Sequence, residues 1–215
     1  MDAESARLTR DLLLGTAWVE RTREFAGALR FAGHGDGGLL MVGTPAEEPW
    51  HLTAHLSDEA RMAGVPELAP TLVRHQVPAD ARPHLAVDLS RLEAAGRHET
   101  VLVVAPGASG EQVLERVDDA RRSGATILAM ESGDRELRGL AHEVLTVAEG
   151  PSSPWPGAAL RADGLIVPDG LAFETAQHLV SVAAGEVPVA VGGRRGFRDR
   201  LARLLDAVSG PVTVD

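Results

Sequence analysis

The sequence predicts a doubly wound α/β domain, a three-layer α/β/α sandwich around a mostly parallel sheet of about five strands. Three observations carry this. The runs at 39–42, 101–104 and 126–130, apolar but for Thr126, read as short buried strands. Stretches with apolar residues spaced by three and four alternate with them. Residues 101–130 also pack strand, helix and strand into about 30 residues, a βαβ unit with a right-handed crossover.

Residues 5–30 form the first expected helix, with Leu8, Leu12, Gly15, Val19, Thr22, Ala26 and Leu29 on one stripe and Trp18 and Phe25 beside it. The glycine run from Gly33 to Gly38 ends it. After the strand at 39–42, Gly43-Thr44-Pro45 turns the chain, and Pro45 is placed to open a second helix reaching about Ala63. A strand at 71–74 and a short helix at 85–95 follow. The central unit is the strand 101–104, a turn at 105–108, a helix at 109–123 ended by Gly124, and the strand 126–130. A short helix at 135–141 leads to a strand at 144–147. Residues 150–157 read as a linker or flap, 165–167 as an edge strand, and 171–184 as a helix. Residues 1–190 are thus expected to form one domain. Residues 191–215 would be a Gly/Arg-rich joint and an amphipathic helix with Phe197, Leu201, Leu204, Leu205 and Val208 on its apolar side.

The chain has 215 residues, enough to bury a full core, and 44% of them are hydrophobic. It has no cysteine, which excludes disulfides, thiolate metal ligands and a cysteine nucleophile. All 21 basic side chains are arginine, so no Schiff-base or P-loop lysine exists. The net charge of −10 disfavours non-specific binding to nucleic acid. No apolar run is long enough to span a membrane and no secretory leader is read, so the expected location is cytoplasmic.

The stretches 101–111 and 120–130, continued by Leu137, 140–147 and 165–170, resemble the sugar isomerase (SIS) domain over roughly residues 5–185. They are similar to short bacterial SIS-like chains and, more distantly, to phosphoheptose isomerases. The resemblance implies a site for a carbohydrate derivative such as a phosphosugar, where hydroxyls and backbone amides surround the ligand at a helix N-terminus. Counted back from Gly124, the hydroxyl-bearing positions fall on Ala105, Gly107 and Gly110; shifted by two residues, Ser109-Gly110 takes the place of the family's Ser-Gly pair. The implied ligand contacts are Thr44, Gly107, Ala108, Ser109, Gly110 and Gln112. Ser109 and Gln112 also have the spacing of a capping box, while Glu111, and Glu47 and Glu48 in the earlier loop, suit helix N-termini and repel anions.

Aldose–ketose isomerisation needs an acid and a base around adjacent carbons. The resemblance offers Glu59, in the segment 55–59, and His178, although the family's catalytic position falls on Phe173. Catalytic residues therefore remain unassigned, with Glu59 and His178 as candidates. The alternatives to a binding domain are a small phosphosugar isomerase and a structural or regulatory oligomer that has lost its ligand. His51 and His55 share a helix face with Glu59 a turn further, yet lack the H-E-x-x-H base and an outer partner, so no metal and no cofactor is expected. His34, His75, His84 and His98 read as surface residues and His142 as a helix-end charge. Gly192 to Gly196 reads as a joint with exposed arginines. The family resemblance also implies a homodimer or higher homo-oligomer.

Overall fold

Alternate residues of each strand face opposite helical layers, and this period of two organises the whole core. The computed structural model describes residues 13, 17–33, 38–147, 158–160, 166–168 and 171–186. Its strands β1 (Leu39–Val42), β2 (Pro70–Val73), β3 (Thr100–Ala105), β4 (Thr126–Glu131) and β5 (Glu143–Thr146) form one sheet in the order β2-β1-β3-β4-β5. Every pairing is parallel, with Met41 opposite Leu102 and Leu102 opposite Leu128. The expected five-stranded α/β sandwich is the observed one.

On one face, Leu39, Met41, Leu102, Val104, Leu128, Met130 and Leu145 pack against three helices. These are α1 (Ala17–Gly33), α2 (Trp50–Ala63) and, after two short helices named below and a third, α6 (Phe173–Gly185). Phe25, Ala26 and Leu29 from α1, Leu52 and Leu56 from α2, and Ala176 and Val180 from α6 are buried in that layer. Truncating one of these leucines to alanine costs about 2–5 kcal/mol, since a cavity remains as well as lost burial. On the other face, Leu40, Val42, Val101, Val103, Ile127 and Ala129 meet α3 (Ser90–Glu93), α4 (Glu111–Arg122) and α5 (Arg135–Leu140) through Leu92, Val113, Val117 and Leu137. The first layer is tied at its end by Arg30 of α1. Its guanidinium donates to the carbonyls of Ala183 (2.8 Å), Ala184 (3.3 Å) and Glu186, the unsatisfied acceptors at the α6 C-terminus.

Four expectations are corrected. The helix after β1 begins at Trp50, not near Pro45, because Thr44 and Glu47 exchange backbone hydrogen bonds (3.0 and 3.2 Å) and close a separate turn first. The helix expected at 85–95 shortens to α3, preceded by a 3₁₀ turn at Pro83–Leu85. The strand near 165–167 does not edge the main sheet; β7 (Ile166–Pro168) pairs antiparallel with β6 (Ala158–Leu160). His75 is half-buried rather than a surface residue: its Nε2 donates to the Gly43 carbonyl at 3.0 Å. Residues 5–12 and 14–16 of the first expected helix, His34, the linker at 150–157 and the whole of 191–215 lie outside the described residues. Among the described residues, no helix is long and apolar enough to cross a membrane.

Candidate functional site

Open α/β sheets bind ligands beyond the carboxyl ends of their strands, at the point where the strand order reverses. Here the chain goes from β1 outward to β2 and returns to β3, so that point lies between the loops after β1 and β3. The crevice is narrow. Gly110 adopts φ +82°, and a Cβ on it would come within 3.1 Å of the Pro45 ring. Thr44, 3% exposed, turns its Oγ1 inward to accept from the Glu47 amide at 3.1 Å. Gly43 is hemmed in more tightly, since a Cβ there would meet the Glu47 carbonyl oxygen at 2.2 Å. Glu48 does not cap a helix: it accepts from Arg74 Nε (3.0 Å), Trp50 Nε1 (2.9 Å) and the His75 amide (3.2 Å), bracing the ends of β1 and β2.

Beside it, the loops after β1 and β2 enclose a space of about 410 Å³, and a larger one lies one strand over. A cleft of about 810 Å³ sits between the loops after β3 and β4, lined among others by Gly107, Ala108, Gly110 and Gly133. Gly107 and Ala108 are exposed there and Gly110 half-buried. Ser109 borders the cleft with no accessible surface. Its amide (2.9 Å) and its hydroxyl (2.8 Å) both donate to Asp134 Oδ2. The capping box is therefore absent: Gly110 is the N-cap of α4 and no side chain bonds that helix start. Gln112 is exposed on α4 and is not among the residues lining the cleft. Asp134 caps α5 with its other oxygen, which accepts from the Leu137 amide at 3.0 Å. Burial alone would raise the Asp134 pKa, but the donors from Leu137 and Ser109 outweigh it and hold the group below its ordinary value.

Behind this loop Glu131 is fully buried at the end of β4. Its Oε1 accepts from Arg138 Nη2 (2.8 Å) and Thr146 Oγ1 (2.6 Å), and its Oε2 from the Gly133 amide (2.6 Å). These bonds tie the end of β4 to α5 and β5 and hold the Gly133 turn that lines the cleft. The charge around the mouth is one-sided: Glu111, Glu115, Asp134 and Glu136 line it against Arg135.

Glu59 and His178 both lie where α2 packs on α6, but they meet different neighbours. A Cβ added to Gly185 would touch Glu59 Oε2 at 1.8 Å, so the carboxylate lies against Gly185, about 10 Å along α6 from His178 at ~1.5 Å per residue. His178, 3% exposed, instead faces His51 and His55, each ring centroid 4.7 Å from the others. Burial, and then the neighbouring imidazoles, push the His178 and His55 pKa values down.

Sequence reasoning missed Asp134 and Glu131. The first carried a local signal, an aspartate one residue before an expected helix. Its bond to Ser109, and the meeting of His178 with the α2 histidines, join distant segments and have no local signal.

No protein-family model and no curated protein matches the chain. Solved structures do. The sugar isomerase domain of an RpiR transcription factor from Sphaerobacter thermophilus matches with 14% identity, 87% of each chain and a TM-score of 0.46. The Vibrio vulnificus NanR protein complexed with ManNAc-6P matches with 14% identity over 86% of this chain and 62% of that one, with a TM-score of 0.49. The first of these structures is described as a sugar isomerase domain, and both likenesses are likenesses of fold.

Proposed function

We propose that this chain is an SIS-like domain that binds a carbohydrate derivative without a phosphate group, in the cleft between the β3 and β4 loops. One observation carries the reading: an open cleft of about 810 Å³ at the carboxyl edge of the sheet joins exposed backbone at 107–108 to four carboxylates and one arginine. Carboxylates accept hydrogen bonds from sugar hydroxyls and repel a phosphate. The α4 N-terminus, with no side chain bonded to it, adds free amides for a ring or carbonyl oxygen. Gly107, Ala108 and Gly110 are the contacts that this reading keeps. Thr44 and Ser109 stabilise the loops rather than touch the ligand, and Gln112 lies beside the site.

Those two engaged hydroxyls also favour a second reading, a structural or regulatory oligomer without a ligand. Assembly with a second copy, implied by the family resemblance, is compatible with either reading. The separation of Glu59 from His178 gives an isomerase no support. The reading places the protein in the cytoplasm, without nucleic acid or membrane as a partner.

A thermal-shift screen of neutral sugars, amino sugars and their phosphates tests it. A ligand at 100 times its Kd adds about 2.7 kcal/mol and raises Tm. A rise with neutral compounds that Gly107→Trp abolishes supports the cleft; a flat screen leaves the structural reading.

A further inference from the structure

His51 and His55 stand one turn apart on α2, and His178 reaches them from α6. Their ligating nitrogens all lie within 4.8 Å of one another, and His51 Nε2 is 3.1 Å from His55 Nε2. His178 Nε2 is buried and has no hydrogen-bond partner. Such an orphan is rare in a folded interior. A hydrogen bond between the two α2 imidazoles explains their own approach but leaves His178 unexplained. Glu174 Oε1 lies 3.6 Å from His51 Nδ1 and 3.7 Å from His178 Nε2, outside hydrogen-bond range of both.

We propose that His51, His55 and His178 form a binding site for a divalent transition ion, zinc foremost, with Glu174 as the adjoining carboxylate. Tetrahedral zinc with Zn–N bonds of about 2.0–2.1 Å sets its ligand nitrogens about 3.3 Å apart, close to the His51–His55 separation. The wider gaps close by rotation of His51, whose side chain is 49% exposed, and of the half-buried His55. Imidazole donors without thiolates suit zinc, copper or nickel rather than magnesium or calcium.

The position has chemical meaning. His51 lies in the first turn of α2, beyond the carboxyl end of β1, and His178 in the first half of α6. The exposed side of His51 leaves room for an oxygen ligand, a water or a hydroxyl of a bound polyol, as at metal sites with an open position. The sequence pairs His51 with His55 but gives no sign of the third ring; the packing of α6 on α2 supplies it. This site does not depend on the carbohydrate cleft, so either can fail alone.

The experiment strips the full-length protein with a chelator, then titrates Zn²⁺ against a chromophoric competitor and Co²⁺ by visible absorption. One equivalent should bind, and Co²⁺ should give the intense d–d bands of a tetrahedral or five-coordinate site. His51→Gln and His55→Gln should each weaken binding at least about 100-fold, more than the loss of a supporting outer partner. His84→Gln, at an exposed position elsewhere, should change nothing. Because His178→Gln alters a buried position, the α2 variants decide the question, with circular dichroism confirming that they fold. Failure to take up one equivalent at micromolar free metal overturns the proposal. So does uptake that persists in the His51→Gln/His55→Gln double variant, which marks an adventitious surface ion.

Discussion

The amide and the hydroxyl of Ser109 converge on one oxygen of Asp134, at 2.9 and 2.8 Å. The pair links the start of α4 to the start of α5 and closes the cleft floor from below. Ser109→Ala should cost about 1.5 kcal/mol, because one of two bonds to a charged acceptor is lost. Asp134→Ala should cost about 3 kcal/mol, as it removes the α5 cap and strands two buried donors. Urea denaturation of the single and double variants should show a coupling near 1 kcal/mol.

Gly43 and Gly185 both lack room for a side chain, but the obstacles differ. At Gly43 an added Cβ meets backbone, the Glu47 carbonyl at 2.2 Å, and Pro49 Cδ at 2.7 Å. At Gly185 it meets the end of the Glu59 side chain, which can move. Gly43→Ala should therefore destabilise by about 3 kcal/mol or more and Gly185→Ala by about 1 kcal/mol. Adding Glu59→Ala should relieve the second and leave the first unchanged, as read from melting temperatures.

Acidification should weaken the fold in two windows. His142 Nδ1 accepts from the Ile127 amide at 2.9 Å, and burial followed by Arg121 lowers its pKa below the ordinary 6.5. The neutral ring is the folded form, so its contribution is complete above about pH 6.5 and shrinks as the unfolded chain protonates below it. Asp134, held below its ordinary value, contributes above about pH 4 and loses that contribution as pH falls through its folded pKa. His142→Gln should reduce the slope of the upper part of a plot of unfolding free energy against pH, to which His55 and His178 also contribute, and Asp134→Asn should reduce that of the lower part.

The centre of the sheet was legible because β1, β3 and β4 are nearly continuous apolar runs buried on both faces, a pattern that needs no distant partner to be seen. The helix at Glu111–Arg122 was legible for a similar reason, with Val113, Val117 and Ala120 on one stripe. The loops were not. Pro45 has the right chemistry to open a helix, but the Thr44–Glu47 turn intervenes and the helix waits for Trp50. Ser109 has the spacing of a capping box, but Asp134, brought near by the crossover from β3 to β4, accepts from both its amide and its hydroxyl, and the helix starts later with Gly110 as its N-cap. His51 and His55 were legible as a pair, whereas their meeting with His178 depends on how α6 packs against α2.

A two-dimensional ¹H–¹⁵N NMR titration tests the cleft most directly. Unphosphorylated hexoses and amino sugars should move the amides of Ala108, Gly110 and Gly133 in a saturable way, with their phosphates weaker by about tenfold or more. If those amides stay still for every neutral compound, or follow only the phosphates, the cleft is not a site for an uncharged carbohydrate.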